Sequence, residues 1–465
     1  MPSDKAGIIP RLRPRSAFPT QPVTPLNERP MSTALRPSAC PGLLRIVPAL
    51  DGGICRIKLA GGAISAVQAR AVAAAAERYA GGVIEATNRA NLQIRGIGAE
   101  HQALIAELLA AGLGPTTAAG DDVRNLMLSP TAGIDRTLLI DTRPLAGQIL
   151  AILQSHPRFH ELSPKFAVQL DGGEALAMLE HPHDLWLSAF EGAGDPWLAF
   201  GLAGCPGDLP LASVALEDGL ALVVAVLELF LDLARPEQTR MRQLLAEHSA
   251  AELLAQVSAR LPGPVIRVGD WQRVAPSEPL HIGTYPQRQA GQVYVGAVTP
   301  LGRLDPPMLR GAAQLAEQWG DGSLRFTPWQ SLLLPNLRGE DAAEVTRRLQ
   351  QLGFLCSPEQ PLAHLIACTG SSGCGKALAD TKGDAVKLAA LLQRHGLDVH
   401  LSGCSRSCAA AHVAPATLLA VAPGRYDLYF RDAAQPGFGT LHARNLSLEA
   451  AGALLDARPR STLDD

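Results

Sequence analysis

The sequence predicts an internally duplicated α+β protein. Three observations carry that prediction: strands and helices alternate from about residue 55, one stretch repeats at a spacing of 240 residues, and a second repeats at 239. CRIKLA (55–60) reads as a strand, AVQARAVAAAAERY (66–79) as a helix, GVIEATN (82–88) as a strand and AEHQALIAELLAAG (99–112) as a helix. Ser65 is placed to cap the first helix, and glycines at 81–82 and 112 sit where helices stop. VYVGAV (293–298) opens a second such series. Without a gap, Gly62 matches Gly302, Ile64 Leu304, Glu77 Glu317, Tyr79 Trp319, Gly82 Gly322, Thr87 Thr327 and Leu92 Leu332. DTRPLAGQILAILQSH (141–156) then matches DTKGDAVKLAALLQRH (380–395). Two copies of one α/β unit, packed about a pseudo-twofold axis, are expected.

The 465 residues suffice for about three domains, and 47% hydrophobic with 18% charged residues describes a soluble globular chain. A net charge of −3 argues against nucleic acid as the main partner. The most apolar run, ASVALEDGLALVVAVLELFLDLA (212–234), contains Glu217, Asp218, Glu228 and Asp232, so it is expected to be a buried or half-buried helix and no membrane partner is expected. Residues 1–38 form a proline-rich leader, with seven prolines in the first thirty residues, and are expected to be disordered; Met31 is an alternative start. Cys40, Cys55, Cys205 and Cys356 are scattered, as in a protein of the reducing cytoplasm.

The other four cysteines fall in HLIACTGSSGCGKALADTK…HLSGCSRSCAAAH (364–412), as Cys368-x5-Cys374 and Cys404-x3-Cys408. Four thiolates are what a [4Fe–4S] cluster requires, and two pairs from separate segments can enclose one. Cys404 and Cys408 are spaced so that a helical turn would put both sulfurs on one face, whereas Cys368 and Cys374 would lie on a curling loop. Gly370, Gly373, Gly375 and Gly403 would let the backbone come close, and Ser371, Ser372, Ser405 and Ser407 would donate hydrogen bonds. A zinc site prefers the shorter C-x2-4-C loop, and a disulfide framework does not suit a long chain without a secretory signal; zinc and plain packing stay open as alternatives.

The first copy has residues near Met127 and Gly133 where the second has Cys368 and Cys374, and nothing in it resembles Cys404-x3-Cys408. One copy alone is therefore expected to build a cluster. In the mirrored loops the first copy carries Arg89, Arg95, Arg124 and Lys165. Copies packed face to face would turn these bases into a cleft opposite the cluster, and such a cleft attracts anions. Taken singly, each reads more readily as a solvated surface base; their placement in loops that mirror the cluster loops is what points to function.

These residues resemble the sulfite/nitrite reductase superfamily over roughly residues 40–450: C-x5-C and S-G-C-x3-C in the second copy, T-x-R-x-x-x-Q at Thr87, Arg89 and Gln93, V-R-N at Val123–Asn125, and P-K-F at Pro164–Phe166. The resemblance implies ferredoxin-like half-domains at 39–117 and 281–357, a basic α/β domain without a cluster at 118–280, and a [4Fe–4S] domain at 358–455. It implies that Cys368, Cys374, Cys404 and Cys408 hold the cluster, that Cys408 can also be the axial ligand of a sirohaem iron, and that Arg89, Arg124 and Lys165 meet the substrate anion or macrocycle carboxylates. Two departures separate the chain from the true reductases: Ala167 stands where they usually carry a second lysine, and Pro415 where they carry an acidic residue. ACPGLLRIVPALDGG (39–53) and both cysteine segments are similar to the precorrin-3B synthases, the corrinoid-pathway branch. That resemblance implies a monooxygenase of cobalamin biosynthesis that hydroxylates precorrin-3A at C20 with O2 and closes a γ-lactone. The reductase branch implies sirohaem-dependent reduction of nitrite or sulfite instead.

The second iron centre is expected to be sirohaem or a mononuclear non-haem iron. The latter would look for two histidines and a carboxylate, with His364, His400 and His412 the nearest candidates; Asp380 reads as a helix cap. No nicotinamide or flavin motif is present, so electrons are expected from an external ferredoxin or a flavoprotein linked to NAD(P)H.

Overall fold

Two of the sheets each contain a strand borrowed from the other copy. In the computed structural model, which describes residues 40–115, 117–192, 196–393 and 396–458, the first sheet runs in the order Val47–Ala49, Gly52–Ile57, Leu92–Ile97, Val83–Ala86 and Arg303–Leu304. The second runs Gly283–Pro286, Gln292–Val298, Ser331–Arg338, Ser323–Phe326 and Ala63–Ser65. Ile64 pairs with Leu324 and Leu304 with Ile84, two contacts related by the repeat spacing. The proline-rich leader and Met31 lie outside the described residues.

The helix of each half packs on its counterpart across the pseudo-twofold axis. Ala66–Tyr79 presents Ala69, Val72, Ala73 and Ala76, and Pro306–Trp319 presents Leu309, Ala312, Ala313 and Ala316, all buried in one core that both halves share. Alanines on these faces let the two axes approach closely. At the rim the ion pairs Arg70–Glu317 at 2.6 Å and Arg310–Glu77 at 2.9 Å are each other's symmetry mates. Ser65 caps the first helix as expected, in a capping box with Gln68, and Asp305 caps the second through Met308 N at 2.8 Å. Gly62 has φ 69°, and a Cβ there would collide with the Phe326 carbonyl, so the crossing into the borrowed strand needs glycine.

Each copy continues into a larger α/β domain of one topology. Leu126–Leu128, Val168–Asp171 and Leu185–Glu191 run parallel, then Pro196–Leu202 and Ala212–Ala215 return antiparallel. Leu365–Ala367, Val399–Ser402, Ala416–Ala422, Arg425–Phe430 and Thr440–Leu446 repeat that pattern. Helices Arg143–Ser155 and Thr381–Leu391 make the first crossovers, and Asp380 caps the second helix by accepting from Gly383 N. The fold is thus α+β and duplicated, as expected. The apolar run 212–234 is not one helix: Ala212–Ala215 forms the edge strand before helix Gly219–Leu233, because Leu216–Asp218 turns the chain in between. Leu92–Ile97 is a strand that the alternation of 55–112 did not show. None of the helices among the described residues is long and apolar enough to cross a membrane.

Candidate active site and cluster cradle

The crossover ends of the second α/β domain bring the four cysteines together. Cys368 and Cys374 follow strand Leu365–Ala367, and Cys404 and Cys408 follow strand Val399–Ser402, its parallel neighbour. Burial raises the pKa of the Cys408 thiol, and Cys404, Cys368 and Cys374 each add to that. Gly403 N donates to Cys368 Sγ at 3.2 Å, and Thr381 Oγ1 lies 3.4 Å from the same sulfur. A Cβ on Gly403 would stand 2.6 Å from Ala377 Cβ and 3.3 Å from Cys368 Sγ, so the cradle accepts only glycine there. Four sulfurs with hydrogen-bond donors aimed at one of them suit an iron–sulfur cluster. Cys404 and Cys408 do not lie on a helical turn as expected; Ser407 at φ 51° breaks the helical path and leaves an irregular turn.

The first copy keeps the loop and fills it with oxygen. Cys374 N and Gly373 N both bond to Gly370 O, and Asp135 N and Ile134 N bond to Thr131 O in the same way. Leu378 N bonds to Gly403 O as Leu139 N does to Gly172 O. The counterparts of Cys368 and Cys374 are therefore Ser129 and Asp135, two residues beyond the expected Met127 and Gly133. Asp135 accepts from Thr131 Oγ1 at 2.9 Å and Thr137 N at 3.0 Å, Glu174 from Gly172 N at 2.5 Å, and Asp171 from Gly173 N at 3.0 Å. Carboxylates of the chain itself thus occupy the loop amides.

The cleft faces the cluster loop from the first half-domain. Its wall is Arg89, Asn91, Arg124, Asn125, Ala167 and His183, with Leu126 and Met127 beneath, around about 20 Å³ of space. Asn88 Nδ2 donates to Cys408 O at 3.4 Å, which ties the Arg89 loop to the cluster loop, and Gln330 Nε2 does the same from the mirror loop through Ala409 O at 3.3 Å. Among the described residues the Arg89 guanidinium has no hydrogen-bond acceptor, and burial, with Arg240 and Arg56 beside it, lowers its pKa to about 10. Arg124 is held by Asp121 Oδ1 at 3.4 Å and Leu113 O at 3.3 Å. Lys165 is exposed; its loop is fixed to the site by Asn125 Nδ2, which donates to Pro164 O at 3.0 Å and Phe166 O at 3.2 Å.

Arg95 does not join the cleft. It is almost fully buried, bonds both Asp51 oxygens at 2.9 Å and reaches Gly373 O at 3.4 Å, so it braces the cluster loop and has no charge to spare for an anion. Three other bases lie within electrostatic reach of Arg89 or Arg124 without lining the cleft: Arg56, Lys58 and Arg240. Arg56 lies within electrostatic reach of Cys408, and with the Gln93 amide turned toward it the Gln93 oxygen accepts at 3.0 and 2.7 Å. Lys58 Nζ donates to Asp121 O and, at 3.0 Å, Asp122 O, and burial pushes its pKa down to about 7. Arg240 bonds both Asp184 oxygens at 2.9 Å. Arg56 and Lys58 alternate with buried Cys55 and Ile57, a period-two signal readable in CRIKLA; nothing local marks Arg240.

The histidines suggested for a mononuclear iron are committed elsewhere. His364 lies 2.8 Å from Asp398 Oδ1, His400 is buried within its strand, and His412 Nδ1 lies 2.9 Å from His181 Nε2. Among the described residues no three His, Cys, Asp or Glu side chains are grouped to hold a single ion. A lone zinc or iron therefore finds no ready ligand set, whereas a polynuclear cluster holds its cysteine sulfurs farther apart.

Residues 48–112 and 285–352 match the nitrite/sulfite reductase ferredoxin-like half domain, and residues 119–265 match the nitrite and sulphite reductase 4Fe-4S domain. The second match covers the oxygen-filled copy. The chain is 32% identical over 392 residues to a chloroplastic ferredoxin–nitrite reductase of Zea mays, covering 77% of this chain and 68% of the relative. Over 406 residues it is 28% identical to a precorrin-3B synthase of Sinorhizobium sp., covering 86% and 84%. It spans about two thirds of the length of the plant nitrite reductases it matches. The solved structure of the NirA protein of Mycobacterium tuberculosis shares the fold, with a TM-score of 0.73 at 22% identity over 87% of this chain and 79% of that one.

Proposed function

This chain belongs to the nitrite and sulfite reductase family of oxidoreductases, and from that premise we propose that it is a precorrin-3B synthase, hydroxylating precorrin-3A at C20 with O2 and forming a γ-lactone. The observation that carries the reading is Ala167. It is buried in the cleft wall, at the place where the resemblance expects a lysine in an anion reductase. The similarity to the precorrin-3B synthase extends over most of both chains, which supports the same reading.

A [4Fe–4S] cluster held by Cys368, Cys374, Cys404 and Cys408 would supply electrons singly, and a second iron centre of the sirohaem type would supply the oxygen chemistry. The remaining work falls to side chains of the chain. Precorrin-3A carries many carboxylates, and Arg89 and Arg124 offer guanidinium groups in the cleft wall to receive them, with Lys165 at the rim. Because the space among these bases is small, the macrocycle would meet them with its peripheral carboxylates and not with its ring. Leu126, Met127 and buried His183 keep water from the inner wall. Fixing one face of the macrocycle in this way makes the reaction effectively intramolecular. Electrons would come from an external donor, for which the ferredoxin named in the nitrite reductase relatives is the model.

A second reading, sirohaem-dependent reduction of nitrite or sulfite, is favoured by the higher identity to the nitrite reductases and by a cleft that suits a small anion. The deciding experiment is the product mass after the reduced holoenzyme meets precorrin-3A under isotopically labelled O2. Uptake of labelled oxygen is expected. Unchanged precorrin-3A, with nitrite or sulfite consumed in parallel assays, would replace the first reading by the second.

A further inference from the structure

A lysine is buried behind the cysteine loop. Lys382, in the first turn of helix Thr381–Leu391, donates from Nζ to Leu301 O at 2.5 Å and to Ala367 O at 3.2 Å, the carbonyl that immediately precedes Cys368. Glu85 Oε1, from the first half-domain, lies 3.7 Å from the ammonium, and Arg303 and Arg95 share that carboxylate at 3.4 and 3.8 Å. Burying a charge is unfavourable unless an opposite charge answers it. Glu85 is divided among three cations, and Asp51 is taken up by Arg95, so the group has three positive members and two negative ones. The surplus positive charge lies on the side of Cys368.

The seat of this lysine is particular to the cysteine-bearing copy. Leu301 takes φ 51°, a left-handed conformation that leucine rarely adopts, and its carbonyl is the one Lys382 binds. At the matching place the first copy has Gly61, with φ 59°, which meets no such strain. The counterpart of Lys382 is Arg143, which is exposed and pairs with Asp141 at 2.6 Å. Behind the oxygen-filled loop the buried base is instead Arg325, the counterpart of Glu85. Its Nη1 donates to Pro130 O and Ala132 O at 2.9 Å each, within electrostatic reach of Glu174. Each loop is thus backed by a buried base from a different element, and in the first copy that base faces carboxyl groups.

Four thiolates outweigh the positive charge of a [4Fe–4S] core, and reduction by one electron adds a further negative charge. We propose that Lys382 sets the reduction potential of the cluster: its ammonium, fixed behind Cys368, favours the reduced form and eases entry of each electron. The inference rests on the reading that Cys368, Cys374, Cys404 and Cys408 hold that cluster. Local charge is one of the levers on such a potential, and a buried charge acts with little screening by water. Lys382 acts as a positioning residue, through its field at Cys368 and its bond to the preceding carbonyl. Burial lowers its pKa, Glu85 and Cys368 oppose that fall, and Arg303 and Arg95 add to it.

The test is a dye-mediated redox titration of the holoenzyme, followed by the electron paramagnetic resonance of the reduced cluster, in mildly acidic buffer that keeps the lysine protonated. With iron and sulfide content as in the wild type, Lys382→Met should lower the equilibrium constant for one-electron reduction at least about tenfold, a fall of about 59 mV. Lys382→Arg, which keeps the charge, should stay within about threefold of the wild type, and Glu85→Gln, which removes an opposing charge, should shift the constant upward. A loaded Lys382→Met with the wild-type potential, or a Lys382→Arg displaced as far as Lys382→Met, would overturn the proposal and leave the cluster reading intact. Should Lys382→Met fail to fold or to load, Glu85→Gln decides: an upward shift supports the proposal and an unchanged potential refutes it. Wild-type protein that takes up no iron and sulfide on anaerobic reconstitution would remove the cluster reading and this inference together.

Discussion

Arg89 lines the cleft and Lys165 sits on a neighbouring loop at its rim, and their settings differ. Arg89 is enclosed, lacks an acceptor among the described residues and sits on a loop tied to the Cys408 carbonyl, whereas Lys165 is exposed. A charged hydrogen bond made without competing water contributes about 1.5–3 kcal/mol, and an exposed one about 0–1 kcal/mol. Arg89→Gln should therefore lower kcat/KM roughly 10- to 100-fold and Lys165→Gln about fivefold or less, measured on the substrate the wild type turns over. Equal losses in the two variants would mean that the cleft is not the binding site. Cys408 is the exposed member of its quartet, so Cys408→Ser should fold yet lose most of its iron and acid-labile sulfide on purification; full retention of both would remove it from the ligand set.

The loop from Asp171 to Glu174 shows how one element serves two ends in the two copies. In the second copy its counterpart, residues 402–405, carries Cys404, a proposed cluster ligand, and in the first it turns carboxyl groups inward. Burial drives the Glu174 pKa up from 4.5 to about 8, with Asp171 beside it adding to the rise. Its proton is retained in the folded protein and lost in the unfolded one between those values. The stability this group confers is then complete below about pH 4.5 and disappears as pH rises through about 8. Glu174→Gln fixes the side chain neutral, so its unfolding free energy should lack most of the decline that the wild type shows between pH 5 and 9, a gap on the order of a few kcal/mol at the alkaline end. Parallel denaturation curves across that range would show that Glu174 is ionised when folded. The cysteine spacing made the copy proposed to hold the cluster legible in the sequence, because four thiols in a Gly/Ser-rich setting have few other uses. The filled copy was not legible, since Ser129, Asp135, Asp171 and Glu174 look like ordinary turn residues until the shared backbone bonds align them.

At the scale of the whole chain, duplication is more than two domains side by side. The repeat spacing was plain in the sequence, but a strand's alternation says which face is buried and not which neighbour it bonds, so the exchange of Ala63–Ser65 for Arg303–Leu304 had no sequence signal. Its consequence is that neither copy is complete alone. A chain of residues 40–280 would leave Val83–Ala86 with an open edge and would uncover the face of helix Ala66–Tyr79 that packs on Pro306–Trp319 in the shared core. Unpaired edges and bare apolar faces lead to aggregation. Residues 40–280 expressed alone should therefore be insoluble or highly susceptible to protease, and co-expression with residues 281–458 should restore a soluble complex that co-purifies without a covalent link. A stable, monomeric 40–280 fragment would mean that the exchanged strands and the shared core contribute little. The same dependence explains how the copies have diverged in chemistry while keeping one backbone: the shared core holds both frames in place, so the cluster loop of one copy and the basic wall of the other stay in register across the axis.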